Sequence, residues 1–297
     1  MTTFLGREYK SCVWGASGTF GWGTEAWEGG YFPLRGLGAL VTKGVSPKPM
    51  AGAPHPRIAE VGHGVGLINA IGLQNPGLRG FCEKYVPQYE NTRFPCPVWV
   101  NVFADSTEGF VRVIDEIRQL VVARRAAWLA GFELNVSCPN VEKGGVEFGE
   151  RADLMRELLR ACNKARGAFP VMVKLSPLGS NLLETARLCE GEGASALSLC
   201  NTMPSAMRLP ESNQWAIGRK FGGLSGPALR AIAVRWVGTV ANELKIPVCG
   251  VGGVSSAHDV REFLSAGAQV VQVGTAQFAN PWIADLIFDE LNAPKSP

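Results

Sequence analysis

Eight short apolar runs punctuate the chain, and their number and spacing limit its possible folds more than any other feature. They are CVWGA (12–16), ALVTK (39–43), PVWVNVF (97–103), FELNVS (132–137), VMVKLS (171–176), ALSLCN (196–201), PVCGVGG (247–253) and QVVQVGT (269–275). Runs of this length with little polar alternation read as strands covered on both faces. Helical periodicity fills most of the intervals, at 107–128, 152–165, 182–193, 228–244 and 256–268. Strand and helix alternating along 297 residues predict an α/β fold, a closed (β/α)8 TIM barrel with extended loops at its C-terminal face. An open doubly wound sheet is the weaker alternative. With no internal repeat or low-complexity tract, a single domain over 1–297 is expected.

Two segments exceed what a minimal barrel needs. Residues 44–96, with GVSPKPMAGAPHPR and GLINAIGLQNPG, separate the second and third strands. Residues 202–227, rich in Gly, Ser, Pro and Asn, follow the sixth. Long loops in compact folds usually carry function, so both are expected to project from the catalytic face.

Composition excludes some classes of function. The net charge is +3 and no run of Lys and Arg exceeds Arg124-Arg125, so no nucleic-acid partner is expected. No apolar stretch approaches the ~20 residues of a membrane span, and the N-terminus lacks the layout of a secretory signal. Eight cysteines stand singly, without a C-x-x-C pair or zinc spacing. A cytoplasmic protein with free thiols and no metal site is expected.

The strand ends hold the candidate chemistry. Gly252-Gly253 and Gly274-Thr275 leave strands seven and eight, where barrels commonly bind phosphate, although ordinary turns with a serine N-cap would look alike. Lys43 and Lys174 each end a strand, and a lysine there meets an anion, forms a Schiff base or snorkels at the rim. Asn69, Asn101, Asn135, Asn140 and Asn201 fall at or just beyond strand ends. Each alone could be a turn residue, but together their donor-and-acceptor amides suit a ring with imide edges. Cys138 follows the fourth strand beside Asn135 and Asn140. No metal partners accompany it, and none of His55, His63 and His258 sits at a strand end, which leaves proton transfer or an inert buried thiol.

The motifs ASGTFGWGTE (16–25), INAIGLQNPG (68–77), NVSCPN (135–140), VKLSP (173–177), GGLSGPA (222–228), GVGGVSSAHDV (250–260) and VQVGTA (271–276) occur in order over nearly the whole chain. Together they resemble class 1 dihydroorotate dehydrogenases, most closely the B-type catalytic subunit. The resemblance implies an FMN-binding barrel that oxidises (S)-dihydroorotate to orotate in pyrimidine biosynthesis. Cys138 would be the base at substrate C5 while hydride leaves C6 for flavin N5, a role for a loop thiol able to close over the substrate. Class 2 enzymes carry serine there and an N-terminal membrane element, neither of which is seen here. Lys43, Asn69, Ala70, Ile71, Gly72, Leu73, Asn135, Asn140, Asn201 and Thr202 would bind substrate. Ser17, Gly18, Lys43, Asn101, Asn135 and Lys174 would face the flavin, with Gly226, Gly252, Gly253, Gly274 and Thr275 around its phosphate.

The segment TMPSAMRLPESNQWAIGRK departs from the B-type pattern, and WAIGRKFGGLSG also resembles dihydropyrimidine dehydrogenases, which typically have His where this chain has Asn140. A dihydrouracil-oxidising subunit is therefore the alternative within the flavin reading. A Schiff-base aldolase on Lys174 and a non-catalytic phosphate-binding barrel are the alternatives outside it. The B type implies a homodimer joined to an FAD and iron–sulfur subunit as a heterotetramer that reduces NAD. This chain has neither the cysteine cluster nor the G-x-G-x-x-G for those cofactors, so they would belong to another polypeptide, or the acceptor is fumarate or a quinone.

Overall fold

The computed structural model describes residues 1–25, 34–91, 94–136, 148–176 and 181–294. Its strands are β1 (Thr2–Phe4), β2 (Arg7–Tyr9), β3 (Val13–Gly15), β4 (Ala39–Val41), β5 (Ile58–Val61), β6 (Gly66–Asn69) and β7 (Val98–Val102). The series continues with β8 (Leu129–Asn135), β9 (Val171–Leu175), β10 (Ala196–Leu199), β11 (Met203–Ala206), β12 (Phe221–Ser225), β13 (Val248–Val251) and β14 (Val270–Val273). Strands β3, β4, β7, β8, β9, β10, β13 and β14 close a parallel barrel in chain order. These are the eight apolar runs of the sequence, although β8 starts at Leu129, three residues before the expected onset.

The barrel strands conceal an alternation that the apolar runs do not display. On β9, Val171, Val173 and Leu175 pack outward into the main core, whereas Met172 joins the separate interior cluster. Lys174, two residues after Met172, shares its face. Val98, Val100 and Val102 of β7 likewise face outward while Trp99 lies inside, in step with Asn101. The inward face therefore begins apolar and turns polar toward the C-terminal strand ends.

The outer layer comprises α1 (Gly77–Lys84), α2 (Thr107–Arg124), α3 (Ala152–Ala165), α4 (Leu182–Gly191), α5 (Pro227–Glu243), α6 (Ala257–Ser265) and α7 (Ile283–Asn292). Helix α2 starts where the Ser106 hydroxyl accepts from Gly109 N at 3.2 Å. Phe110, Ile114, Ile117 and Val121 then recur at three- and four-residue spacing and bury one stripe. Helix α1 supplies the late crossover in the 44–96 segment, which the sequence left without a clear helix at its start.

Two features go beyond the expected barrel. The N-terminal hairpin β1–β2 closes the lower end: Phe4 packs edge-on against Trp14 at 5.2 Å and Trp99 at 6.2 Å, and Trp99 Nε1 donates to Tyr9 Oη at 3.3 Å. The two long insertions form one antiparallel sheet in the order β11-β12-β6-β5, joined where Gly223 pairs with Asn69. They support each other rather than projecting as separate loops. Because Phe4 is fully buried between two tryptophans, Phe4→Ala should destabilise the protein by ~3–5 kcal/mol. Urea unfolding measures this, and a loss below 1 kcal/mol would show that the hairpin is not part of the core.

Candidate active site at the C-terminal end of the barrel

The structure draws most of the candidate residues into one arc. Lys174 Nζ donates to Ser17 Oγ at 3.0 Å, tying the end of β9 to the loop after β3. On that same loop, Ala16 Cβ lies 3.4 Å from where a Cβ on Gly274 would stand. A Cβ on Gly226 would meet Thr275 Cγ2 at 3.6 Å, and one on Gly253 would meet the Gly226 carbonyl at 2.8 Å. Gly226 and Gly253 have φ of +98° and +70°, so their backbone turns are closed to other side chains for both strain and space. Gly226 precedes the 17-residue helix α5, whose positive N-terminal end opens at this point. Gly252 lies one step further out against Leu229 and Ala233. The Ser256 hydroxyl does cap α6, accepting from Asp259 N at 3.2 Å, as the turn reading expects.

A second group forms a polar rim. Asn201 Nδ2 donates to Asn135 Oδ1 at 3.4 Å and Asn201 Oδ1 accepts from Thr202 N at 2.9 Å. Asn69 Nδ2 donates to the Gly223 carbonyl at 3.2 Å. A Cβ on Gly223 would collide with the Thr202 side chain, so Gly223 brings Asn69 and Thr202 together. The following residues, Gly72 and Leu73, both adopt positive φ. Ala70 N–H donates to the Arg57 carbonyl at 2.8 Å and the Ile71 carbonyl accepts from Ala53 N at 2.9 Å, which fixes the course of this segment.

Lys43 is half-buried. Burial pushes its ammonium below the ordinary 10.5, with Glu25 opposing and Arg57 reinforcing that fall. The sequence showed no acidic neighbour for Lys43, and Glu25 reaches it through space. Asn101 is buried with its Nδ2 donating to Glu133 Oε1 at 2.7 Å, which fixes the orientation of its carboxamide. Cys138 and Asn140 lie outside the described residues. Cys162, Cys189, Cys200 and Cys249 are buried, and burial pushes the first three thiols up to about 12, which makes them inert. Among the described residues, no three His, Cys, Asp or Glu side chains gather as metal ligands, and no helix is long and apolar enough to cross a membrane.

Several site-building residues escaped sequence reasoning. Asn75 accepts from Gly77 N at 2.8 Å, donates to the Leu73 carbonyl at 2.8 Å and bonds Ser46. Arg57 reaches the Ala53 and Ala51 carbonyls and Gln74 Oε1, bracing the same loop. Their signals were faint, since an Asn-Pro-Gly turn and a lone arginine in a proline-rich loop suggest only local structure.

Fold and site together define a closed (β/α)8 barrel with a glycine-rich turn cluster and an amide-lined rim at the C-terminal end of its strands. The model of the dihydroorotate dehydrogenase family matches residues 1–294. A Bacillus pumilus protein named dihydroorotate dehydrogenase B (NAD(+)), catalytic subunit, is 42% identical over 287 residues, 96% of this chain and 88% of its own length. A Lachnoclostridium phytofermentans protein of the same name is 43% identical over 281 residues, 94% of this chain and 89% of its own. A Solibacter usitatus relative, provisionally named dihydroorotate dehydrogenase A (fumarate), is 42% identical over 290 residues, covering 98% and 91%. The crystal structure of an Eimeria tenella DHODH in complex with ferulenol superimposes with a TM-score of 0.76 at 21% identity over 98% of this chain and 82% of that one, a likeness of fold. The chain belongs to the dihydroorotate dehydrogenase family, a family of flavin-dependent oxidoreductases.

Burying the Lys43 charge should cost stability. With a folded-state pKa below the unfolded one, the unfolded chain binds the extra proton, so the penalty is complete below the folded value and is relieved as pH rises toward 10.5. Lys43→Met is therefore expected to stabilise the protein by ~0.5–2 kcal/mol at pH 7, with a smaller gain at pH 10. Urea titrations at the two pH values test this, and a variant less stable at pH 7 would contradict it.

Proposed function

We propose that the protein oxidises (S)-dihydroorotate to orotate with FMN as its bound cofactor. The arc from Lys174 and Ser17 through Gly274 and Thr275 to Gly226 and Gly253 carries this reading, because it brings a lysine and a set of close glycine turns to the same end of the barrel. The residues fit the cofactor. A Cβ on Gly18 would meet nothing within 4 Å, which leaves room beside Ser17 for a flat ring. Gly226, Gly252, Gly253, Gly274 and Thr275 would hold the phosphate, and Ser17, Gly18, Asn101 and Lys174 would hold the ring. FMN, when bound, supplies the hydride acceptor and receives two electrons from substrate C6.

The protein's own residues do the rest. Asn69, Asn135, Asn140, Asn201 and Thr202, with the backbone of Ala70 to Leu73, offer paired donors and acceptors to the edges of the pyrimidine ring. Lys43 offsets the substrate carboxylate, and its own burial cost is recovered when that anion arrives. Cys138 takes the C5 proton onto sulfur while the C6–H bond gives up its hydride, and the C5=C6 double bond of orotate forms. Asn140, in place of histidine, favours dihydroorotate over dihydrouracil.

B-type names among the relatives support a catalytic subunit that hands its electrons to a separate FAD and iron–sulfur subunit and on to NAD. A homodimer within a cytoplasmic heterotetramer is the corresponding assembly. The A-type name of the Solibacter relative keeps fumarate as the second acceptor.

Cys138→Ser should keep FMN and substrate affinity while slowing anaerobic flavin reduction by ~10²-fold or more at pH 7, since an unassisted hydroxyl is a poor base. Stopped-flow absorbance gives the rate, and an unchanged value would remove Cys138 from the proton transfer.

A further inference from the structure

Among the described residues, the buried charged side chains on barrel strands are Glu133 and Lys174. Glu133, on β8, is fully buried, and its oxygens collect hydrogen bonds from three other strands. Asn101 Nδ2 of β7 donates to Oε1 at 2.7 Å, while Ser198 Oγ of β10 and Gln272 Nε2 of β14 donate to Oε2 at 2.9 and 3.2 Å. Three donors aimed at one group require an acceptor-only partner, which a carboxylate is. All three donors are neutral. As a tie between strands this is a costly choice, because apolar residues of similar volume often hold a core as well as or better than buried charge.

The location of the network suggests what that cost supports. Glu133 stands two residues before Asn135 on the same face of β8, and Ser198 is in register with Lys174. The carboxylate thus lies one layer of side chains beneath the mouth formed by Lys174 and Asn135. The Cys249 thiol, raised first by burial, is raised further by Glu133 and lowered by Lys174, so both charges reach the same part of the interior. Glu133 also fixes Asn101: with Nδ2 committed downward, Oδ1 is directed to the Gly44 turn, 3.1 Å from where a Cβ on that glycine would stand.

We infer that Glu133 is a positioning residue for the cofactor site, orienting the Asn101 carboxamide and opposing the charge of Lys174 from below. The inference rests on the FMN reading. A fixed negative charge one side-chain layer below Lys174 and Asn135 would disfavour the reduced, more negative form of a flavin held there, so Glu133 would hold its potential down. Gln272 Oε1, buried without a hydrogen bond among the described residues, shows that the layer is arranged around the carboxylate even where one amide atom is left unsatisfied.

The test uses the full chain reconstituted with FMN, with the two-electron potential measured anaerobically by dye equilibration and FMN affinity by fluorescence. Glu133→Gln should favour binding of reduced over oxidised FMN by about tenfold more than wild type, a positive shift of ~30 mV for a two-electron couple. Glu133→Asp, which keeps the charge, should return most of the shift. Ser198→Ala removes a strand tie but no charge, so it should lower stability and leave the potential in place. If Glu133→Gln yields no folded protein, Glu133→Met carries the same expectation with an apolar side chain of similar size. A potential unmoved in the charge-removing variant, or moved equally by Ser198→Ala, overturns the inference while leaving the FMN reading intact. A wild-type protein that takes up no flavin overturns both.

Discussion

Closure of the parallel barrel is the constraint on which everything else depends. The last strand pairs with the first in the register Val271–Val13, Gln272–Trp14 and Val273–Gly15, and Ala16 N–H donates to the Val273 carbonyl at 2.8 Å. Once all eight strands run the same way, their C-terminal ends must share one rim. Residues as distant in sequence as Ser17, Lys174 and Gly274 become neighbours through that geometry alone. Closure also removes exposed edges, so the long insertions can extend over the rim as a sheet of their own.

Within the barrel, polarity rises along the strands. The lower interior is aromatic and apolar, built on Trp14, Trp99 and the hairpin residue Phe4. The next level holds Glu133 with its three neutral donors, and the level above it presents Lys174 and Asn135 to the opening. Stability is supplied at one end and given up at the other, where half-buried Lys43 and the positive-φ turns at Gly226 and Gly253 would be poor choices in a core. Such local departures from good packing are expected at the functional end of a fold.

How much of this the sequence disclosed follows from how local each feature is. Buried parallel strands are continuous apolar runs, and helix α2 carries its cap and stripe within a few residues, so the barrel could be read directly. Hairpin β1–β2 could not, because its strands are three residues long and its turn places Leu5 at positive φ where an Asn-Gly pair would be the usual sign. The rim sheet joins Asn69 to Gly223, segments more than 150 residues apart, through a glycine-rich strand with little β propensity. Glu133 reads in sequence as one charged residue in an apolar run, and only the fold shows that its partners come from three other strands. The substrate and cofactor roles proposed for these residues come from resemblance to a family; their spacing alone suggests a phosphate cradle with amides nearby.

The central claim is that this barrel couples a flavin at the glycine cradle to a dihydropyrimidine at the asparagine rim. The most direct measurement is the visible spectrum of the purified protein, recorded anaerobically before and after adding dihydroorotate, with dihydrouracil in a parallel cuvette. A yellow protein bleached by dihydroorotate and unchanged by dihydrouracil is expected. A colourless protein that gains no flavin spectrum when supplied with FMN, or one bleached only by dihydrouracil, would contradict it.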